Sequence, residues 1–163
     1  GVSAGDLDLV PAIFARCGVE QVFHKVRLKP GKPVWFGVLA RPDGAPPTLV
    51  FGLPGNPASS LVCFELFVRP AIMILAGAAR DRWHLPRERA VLGAAAKAAG
   101  DRPVYLPCRL AHSSQGLVAT PQPWTGSSDL LGLAGAEGLV ALPADGRMHD
   151  AGETVEILRR DSL

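Results

Sequence analysis

The sequence predicts an α/β unit followed by a small all-β unit. Three observations carry that expectation. The first 77 residues hold an amphipathic helical stripe, three strand-like runs and a long apolar helix; residues 78–88 form a charged break containing a proline; and five short apolar runs separated by turn residues follow. The close spacing of those runs, with no long amphipathic helix between them, points to a β-barrel or a sandwich.

Taken in order, Val10, Ile13, Phe14 and Cys17 fall at i, i+3, i+4 and i+7. They mark a helix that Asp6 or Asp8 can cap and that Gly18 ends. EQVFHKVRLK alternates with period two and reads as a strand with Lys25, Arg27 and Lys29 on one cationic face. KPGKP (29–33) is a loop, VWFGVL a second strand, and RPDGAPP a loop around the turn pair Asp43-Gly44. TLVFGL is a third strand, wholly apolar, as expected of one covered on both faces. A helix is expected over about residues 57–76, closed by Gly77. Past the break, ERAVLGAAAKAA, VYLPCRLA, GLVAT, EGLVALP and ETVEIL are the short runs, of which the alanine stretch 94–99 also suits a helix. The break places a domain boundary between residues 80 and 81.

Composition limits the function classes. With 48% hydrophobic and 20% charged residues the chain builds a core rather than remaining disordered. A net charge of +2 is too small for the whole-chain field to predict a nucleic-acid or membrane partner, so an anion site must be local. Cys17, Cys63 and Cys108 form neither a zinc-clip spacing nor a disulfide framework, which fits a reducing, cytoplasmic setting. No secretory pattern opens the chain. The longest apolar run, 61–76, is broken by Glu65, Arg69 and Pro70 and reads as a buried helix rather than a membrane span. The chain begins with Gly1 inside a glycine-rich turn, as a fragment or a processed chain would.

Three stretches suit chemistry. In GLPGNPASS (52–60) a strand ends, Gly55 permits an unusual backbone angle, Asn56 is a good N-cap and Pro57 suits the first helical position. A helix N-terminus then stands at a sheet edge, where free N–H groups and the dipole favour anions, with the hydroxyls of Ser59 and Ser60 in the first turn. The same turn also serves as a rigid connection with no ligand. GVSAGDLD offers Gly1 and Gly5 for close backbone approach, the Ser3 hydroxyl, and Asp6 and Asp8 either as caps or as magnesium ligands. HKVRLKPGKP is either a solvated edge face or a stiffened loop holding Lys29 and Lys32 at a separation suited to an oxyanion. His24, His84, His112 and His149 lack metal-ligand spacing, and no serine sits in a nucleophile elbow. Trp35, Trp83 and Trp124 read as core or interface residues.

GVSAGDLDLV, FHKVRLKPGKPVWFGVL and VFGLPGNPASSLVCFELFVRP, followed by SSDLLGLAGAEGLVALP and GETVEIL, together resemble the C-terminal part of the MoeA/gephyrin family, the molybdopterin molybdenumtransferases. The resemblance implies the second half of a MogA-like three-layer α/β domain over residues 1–80 and a small C-terminal β-barrel domain over 81–163. It further implies a homodimer that inserts molybdate into adenylylated molybdopterin with magnesium, releasing AMP. On the family pattern Asp8, Lys29 and Lys32 are the catalytic positions. Gly1, Ser3, Gly5, Asp6, Pro54, Gly55, Asn56, Pro57 and Ser59 would then bind substrate, and Asp6 or Asp8 magnesium. The alternative within the family is a non-catalytic dimerising scaffold or ligand-binding module of the gephyrin type. A MogA-like adenylyltransferase is disfavoured, because it has neither a GLPGNP helix entrance followed by a barrel nor this tail.

Overall fold

The computed structural model of the chain describes residues 2, 9–114, 116–122 and 133–160. Helix α1 (Val10–Arg16) begins with Leu9 at the cap position and Pro11 in the first turn, and no side chain caps it. The expected capping residues Asp6 and Asp8 lie outside the described residues; Pro11 fixes the helical φ where no N–H partner is needed. Gly18, at φ 80°, turns the chain into β1 (Glu20–His24).

β1 is shorter than the period-two pattern suggested. Lys25 takes a left-handed φ of 67°, so residues 25–34 leave the strand and form a loop, and Lys25, Arg27 and Lys29 do not share a strand face. β2 (Trp35–Leu39) and β3 (Thr48–Gly52) complete an antiparallel sheet of order β1-β2-β3. One face carries Trp35 against Phe14 of α1, ring centroids 4.9 Å apart. The other carries Phe23, Phe36 and Phe51 in a row, with Phe67 of the following helix 5.9 Å from Phe23. Adjacent residues of a strand point to opposite faces, so helix, sheet and helix make three layers. β3 is apolar and faced on both sides, yet only its last residue, Gly52, is fully buried, because β3 has no second strand partner among the described residues.

The long helix comprises α2 (Pro57–Cys63), a π-helical turn (Phe64–Val68) and α3 (Arg69–Leu75). The sequence did not forecast the π turn. At 19 residues and mean hydropathy 1.7 the helix is long and apolar enough to cross a membrane, more so than the charge-broken run suggested. It is also less buried than expected: Phe64, Ile72, Ile74 and Leu75 are exposed, while Phe67 packs on the sheet and Glu65 is buried against the barrel.

A short 3₁₀ turn (Arg80–Arg82) leads into β4 (Arg87–Leu92). The alanine stretch resolves as strand rather than helix, β5 (Ala96–Lys97), pairing with β9 (Met148–His149). β6 (Val104–Ser113), β7 (Gly116–Pro121), β8 (Gly138–Leu142) and β10 (Thr154–Arg159) join β4 in a closed five-stranded barrel of order β10-β4-β7-β6-β8. Only β4 with β7 is a parallel pair within it. The barrel is filled by Leu92, Val104, Cys108, Val140, Leu142 and Ile157. A second cluster joins the two halves: Leu28, Val34, Val62 and Cys63 pack with Leu85, Leu139 and Leu158. The α/β layers and the barrel thus share apolar core across the charged break.

Candidate functional site

The register of the sheet sets the position of the candidate site. His24 pairs with Trp35, and Trp35 with Gly52, so the last residue of β1, the first of β2 and the last of β3 line up at one sheet end. From that end leave the loop 25–34 and GLPGNP. Val2, the one described residue of the GVSAGD loop, lies at the same end: its carbonyl is 2.8 Å from Nε2 of His24, and its side chain fills the space where a Cβ on Gly52 would stand. Val2, the lysine loop and the GLPGNP turn therefore meet at one edge of the sheet.

Each stretch has a local cause. Asn56 Oδ1 accepts a hydrogen bond from Ser59 N at 3.2 Å and its carbonyl one from Ser60 N at 2.9 Å, so Asn56 is the N-cap and Pro57 the first helical residue. The Ser60 hydroxyl donates to Pro54 O, which leaves it committed within the turn. Pro54 and Ser59 are buried, Gly55 is exposed, and Asn56 and Pro57 are half-buried. The loop holding KPGKP closes on itself through Val26 N to Lys32 O and Lys25 N to Val34 O. Lys29–Pro30 is a cis peptide. Gly31 lies on α2: the Cys63 thiol donates to its carbonyl at 3.5 Å. That packing ties the lysine loop to the GLPGNP helix, while Lys29 and Lys32 themselves are exposed.

The loop is also stitched to the barrel. Lys29 N donates to Pro103 O, and Tyr105 N donates to Lys29 O, which bridges Lys29 to Val104 of β6. Arg27 donates through Nε to Asp101 O at 2.9 Å, and Arg102 donates to Asp101 Oδ2 at 2.8 Å. The Arg102 hydrogen bond is the main reason the Asp101 carboxyl sits below its usual range. Arg27, Lys29 and Arg102 are thus gathered at the seam by backbone pairing between segments more than 70 residues apart. Sequence reasoning missed Arg102 and Asp101, since no local pattern marks a barrel strand as the neighbour of the lysine loop.

Gly1, Ser3, Gly5, Asp6 and Asp8 lie outside the described residues, as does Trp124. Among the described residues no group of three histidine, cysteine or carboxylate side chains is arranged to hold a metal ion. His149 is buried and has a structural setting, with Asp145 and Glu153 each 3.3 Å from a ring nitrogen.

Comparison with known families decides the kinship. Residues 1–73 match the family described as "Probable molybdopterin binding domain", and residues 89–159 match the MoeA C-terminal region (domain IV). The chain belongs to the MoeA family. It is 33% identical over 94% of its length to a molybdopterin molybdenumtransferase of Synechocystis, and 35% identical over 97% to that of Bacillus subtilis, covering 35% of each. The MoeA molybdopterin biosynthesis protein of Pyrococcus horikoshii superposes with a TM-score of 0.76 at 29% identity, over 96% of this chain and 36% of that one. This MoeA-family chain therefore spans about a third of the length of the relatives it matches. Its three-layer α/β part and its closed barrel agree with the fold that the sequence predicted.

Proposed function

We propose that the chain serves molybdenum cofactor biosynthesis, as the part of a molybdopterin molybdenumtransferase that inserts molybdate into adenylylated molybdopterin and releases AMP. The observation that carries this reading is the meeting of Val2, the lysine loop and the GLPGNP helix entrance at one sheet end, with Arg27 and Arg102 on the same loop's seam to the barrel. The substrates are anions. The positive end of the helix dipole at Asn56-Pro57, together with the exposed ammonium groups of Lys29 and Lys32 on the loop packed against α2, would lower the energy of charge developing on phosphate and molybdate oxygens.

In this reading Lys29 and Lys32 neutralise the phosphoanhydride, and Pro54, Gly55, Asn56, Pro57 and Ser59 shape the pocket wall. Gly1, Ser3 and Gly5 belong to the substrate loop. Asp6 or Asp8 would hold magnesium, which would supply polarisation of the phosphoanhydride. We assign residues 1–80 to the α/β domain and 81–163 to the barrel domain, and we place the protein in the cytoplasm as a homodimer with neither a nucleic-acid nor a membrane partner. The exposed Ile72 and Leu75 on the long helix support a protein partner on that face.

The test is molybdate- and magnesium-dependent AMP release from adenylylated molybdopterin by the purified chain, alone and with the remaining portion of a relative added. Lys29→Ala is expected to lower turnover by about 10²-fold with the circular dichroism unchanged. Full turnover in that variant would remove Lys29 from the mechanism.

A further inference from the structure

We propose that the barrel carries a second anion site, centred on Arg109, that takes a phosphate-bearing small molecule; this does not rest on the function proposed above. A cleft of about 690 Å³ opens on the barrel, lined among others by Arg109, His112, Gly135, Glu137, Arg159 and Arg160. Its size falls within the roughly 300–1,000 Å³ usual for small-molecule sites.

The charged groups of the cleft are not equivalent. Arg160 is occupied, donating to Glu65 Oε1 and to Ala136 O, both at 2.8 Å. Arg159 faces the Glu88 carboxylate at 3.4 Å. Glu137 would oppose an anion, but its Oε2 accepts Leu110 N at 2.9 Å and is turned to the backbone. Arg109 alone of the three arginines has neither a hydrogen bond nor an ion pair among the described residues. Its guanidinium reaches over Gly135: a Cβ there would stand 2.6 Å from Nη2 and 3.1 Å from Cζ, so it occupies space that glycine leaves open.

A guanidinium on the cleft wall, with its fork of donors unused among the described residues, suits bidentate oxyanion binding. The unengaged fork of Arg109 and the exposed His112 supply the donors, and the positive charge of a three-arginine lining, partly offset by Glu88 and Glu65, favours a doubly charged phosphate over a singly charged carboxylate. The site is separate from the lysine loop. Lys29 pairs with Val104, and Arg109 stands five residues further along β6, about 17 Å at strand rise.

The experiment is an NMR titration of the whole chain at fixed ionic strength, following the arginine Nε–H and backbone amide signals. Inorganic phosphate, ribose 5-phosphate and acetate are added in turn to the wild type, to Arg109→Gln and to Gly135→Val. Both phosphates are expected to move Arg109 and Leu110 saturably at millimolar concentration or below. Binding should weaken by at least about tenfold in Arg109→Gln, and acetate should bind at least about tenfold less well. Arg109 is exposed, so Arg109→Gln retains the fold and remains interpretable even if Gly135→Val does not. Linear shifts, undiminished saturation in Arg109→Gln, acetate binding equal to phosphate, or shifts confined to Lys29 and Lys32 would each overturn the proposal.

Discussion

Glu65, inside the π-helical turn of the long helix, accepts a hydrogen bond from Arg160 Nε at 2.8 Å, joining residues 95 positions apart. The carboxylate is buried, and Arg69 Nε stands on its other oxygen at 3.8 Å. This pair and the shared apolar cluster hold the helix that begins at GLPGNP against the barrel. Removing Glu65 alone leaves two partly buried guanidiniums, Arg160 and Arg69, without their carboxylate, whereas replacing Glu65 and Arg160 together with apolar groups leaves only Arg69 so. Glu65→Ala is therefore expected to lose about 2–3 kcal/mol of stability in urea denaturation. The double change Glu65→Leu with Arg160→Met should lose clearly less. Equal losses in the two variants would mean that the pair is not coupled.

The cysteines offer a pH-dependent check. Cys63 and Cys108 are fully enclosed, and burial pushes both thiols from an ordinary 9.0 up to about 12, while Cys17 is exposed. At pH 8 a thiol reagent should titrate one fast group in the native protein and three after unfolding. The stability consequence follows from which state ionises first. The unfolded thiols lose their protons from about pH 9, while the native ones keep theirs to about 12. Their contribution is thus fully present below pH 9 and is lost as pH rises through that interval. Alkaline unfolding should begin later in Cys63→Ala than in wild type once each is referred to its own neutral-pH stability. An unchanged profile would show that Cys63 ionises equally in both states.

Much of this fold was legible because its signals are local. The stripe Val10, Phe14 gave α1, and the cap-proline pair Asn56-Pro57 fixed the helix start to the residue. Period two failed at Lys25, since one left-handed backbone angle ends a strand without disturbing the alternation of residue types. The π turn escaped because a single inserted residue in a helix leaves almost no trace in an apolar run. For the candidate site, sequence supplied the three stretches but not their meeting point. Convergence rests on the antiparallel register His24, Trp35, Gly52 and on Val2 seated over Gly52, which are long-range pairings. Arg102 was invisible for the same reason: it reaches the lysine loop only through the bridge from Lys29 to Val104.

Gly31 is where loop geometry, packing and the proposed chemistry meet. Its φ of 120° is one that side chains rarely adopt, and a Cβ there would stand 2.6 Å from Cys63 Sγ and 3.0 Å from Leu28 Cδ2. Gly31→Ala must therefore strain the backbone and push against α2 and the apolar cluster, at an expected loss of about 2–4 kcal/mol by chemical denaturation. Truncating the sulfur in a Gly31→Ala, Cys63→Ala double variant removes the closest contact but not the backbone strain. It should recover part of the loss relative to the Cys63→Ala parent, leaving a residue of about 1–3 kcal/mol. Since Gly31 stands between Lys29 and Lys32, the single variant should also lower turnover under conditions where it remains folded. A stability equal to wild type would mean that the loop slides freely on α2, and the fixed lysine geometry on which the proposed anion site depends would go with it.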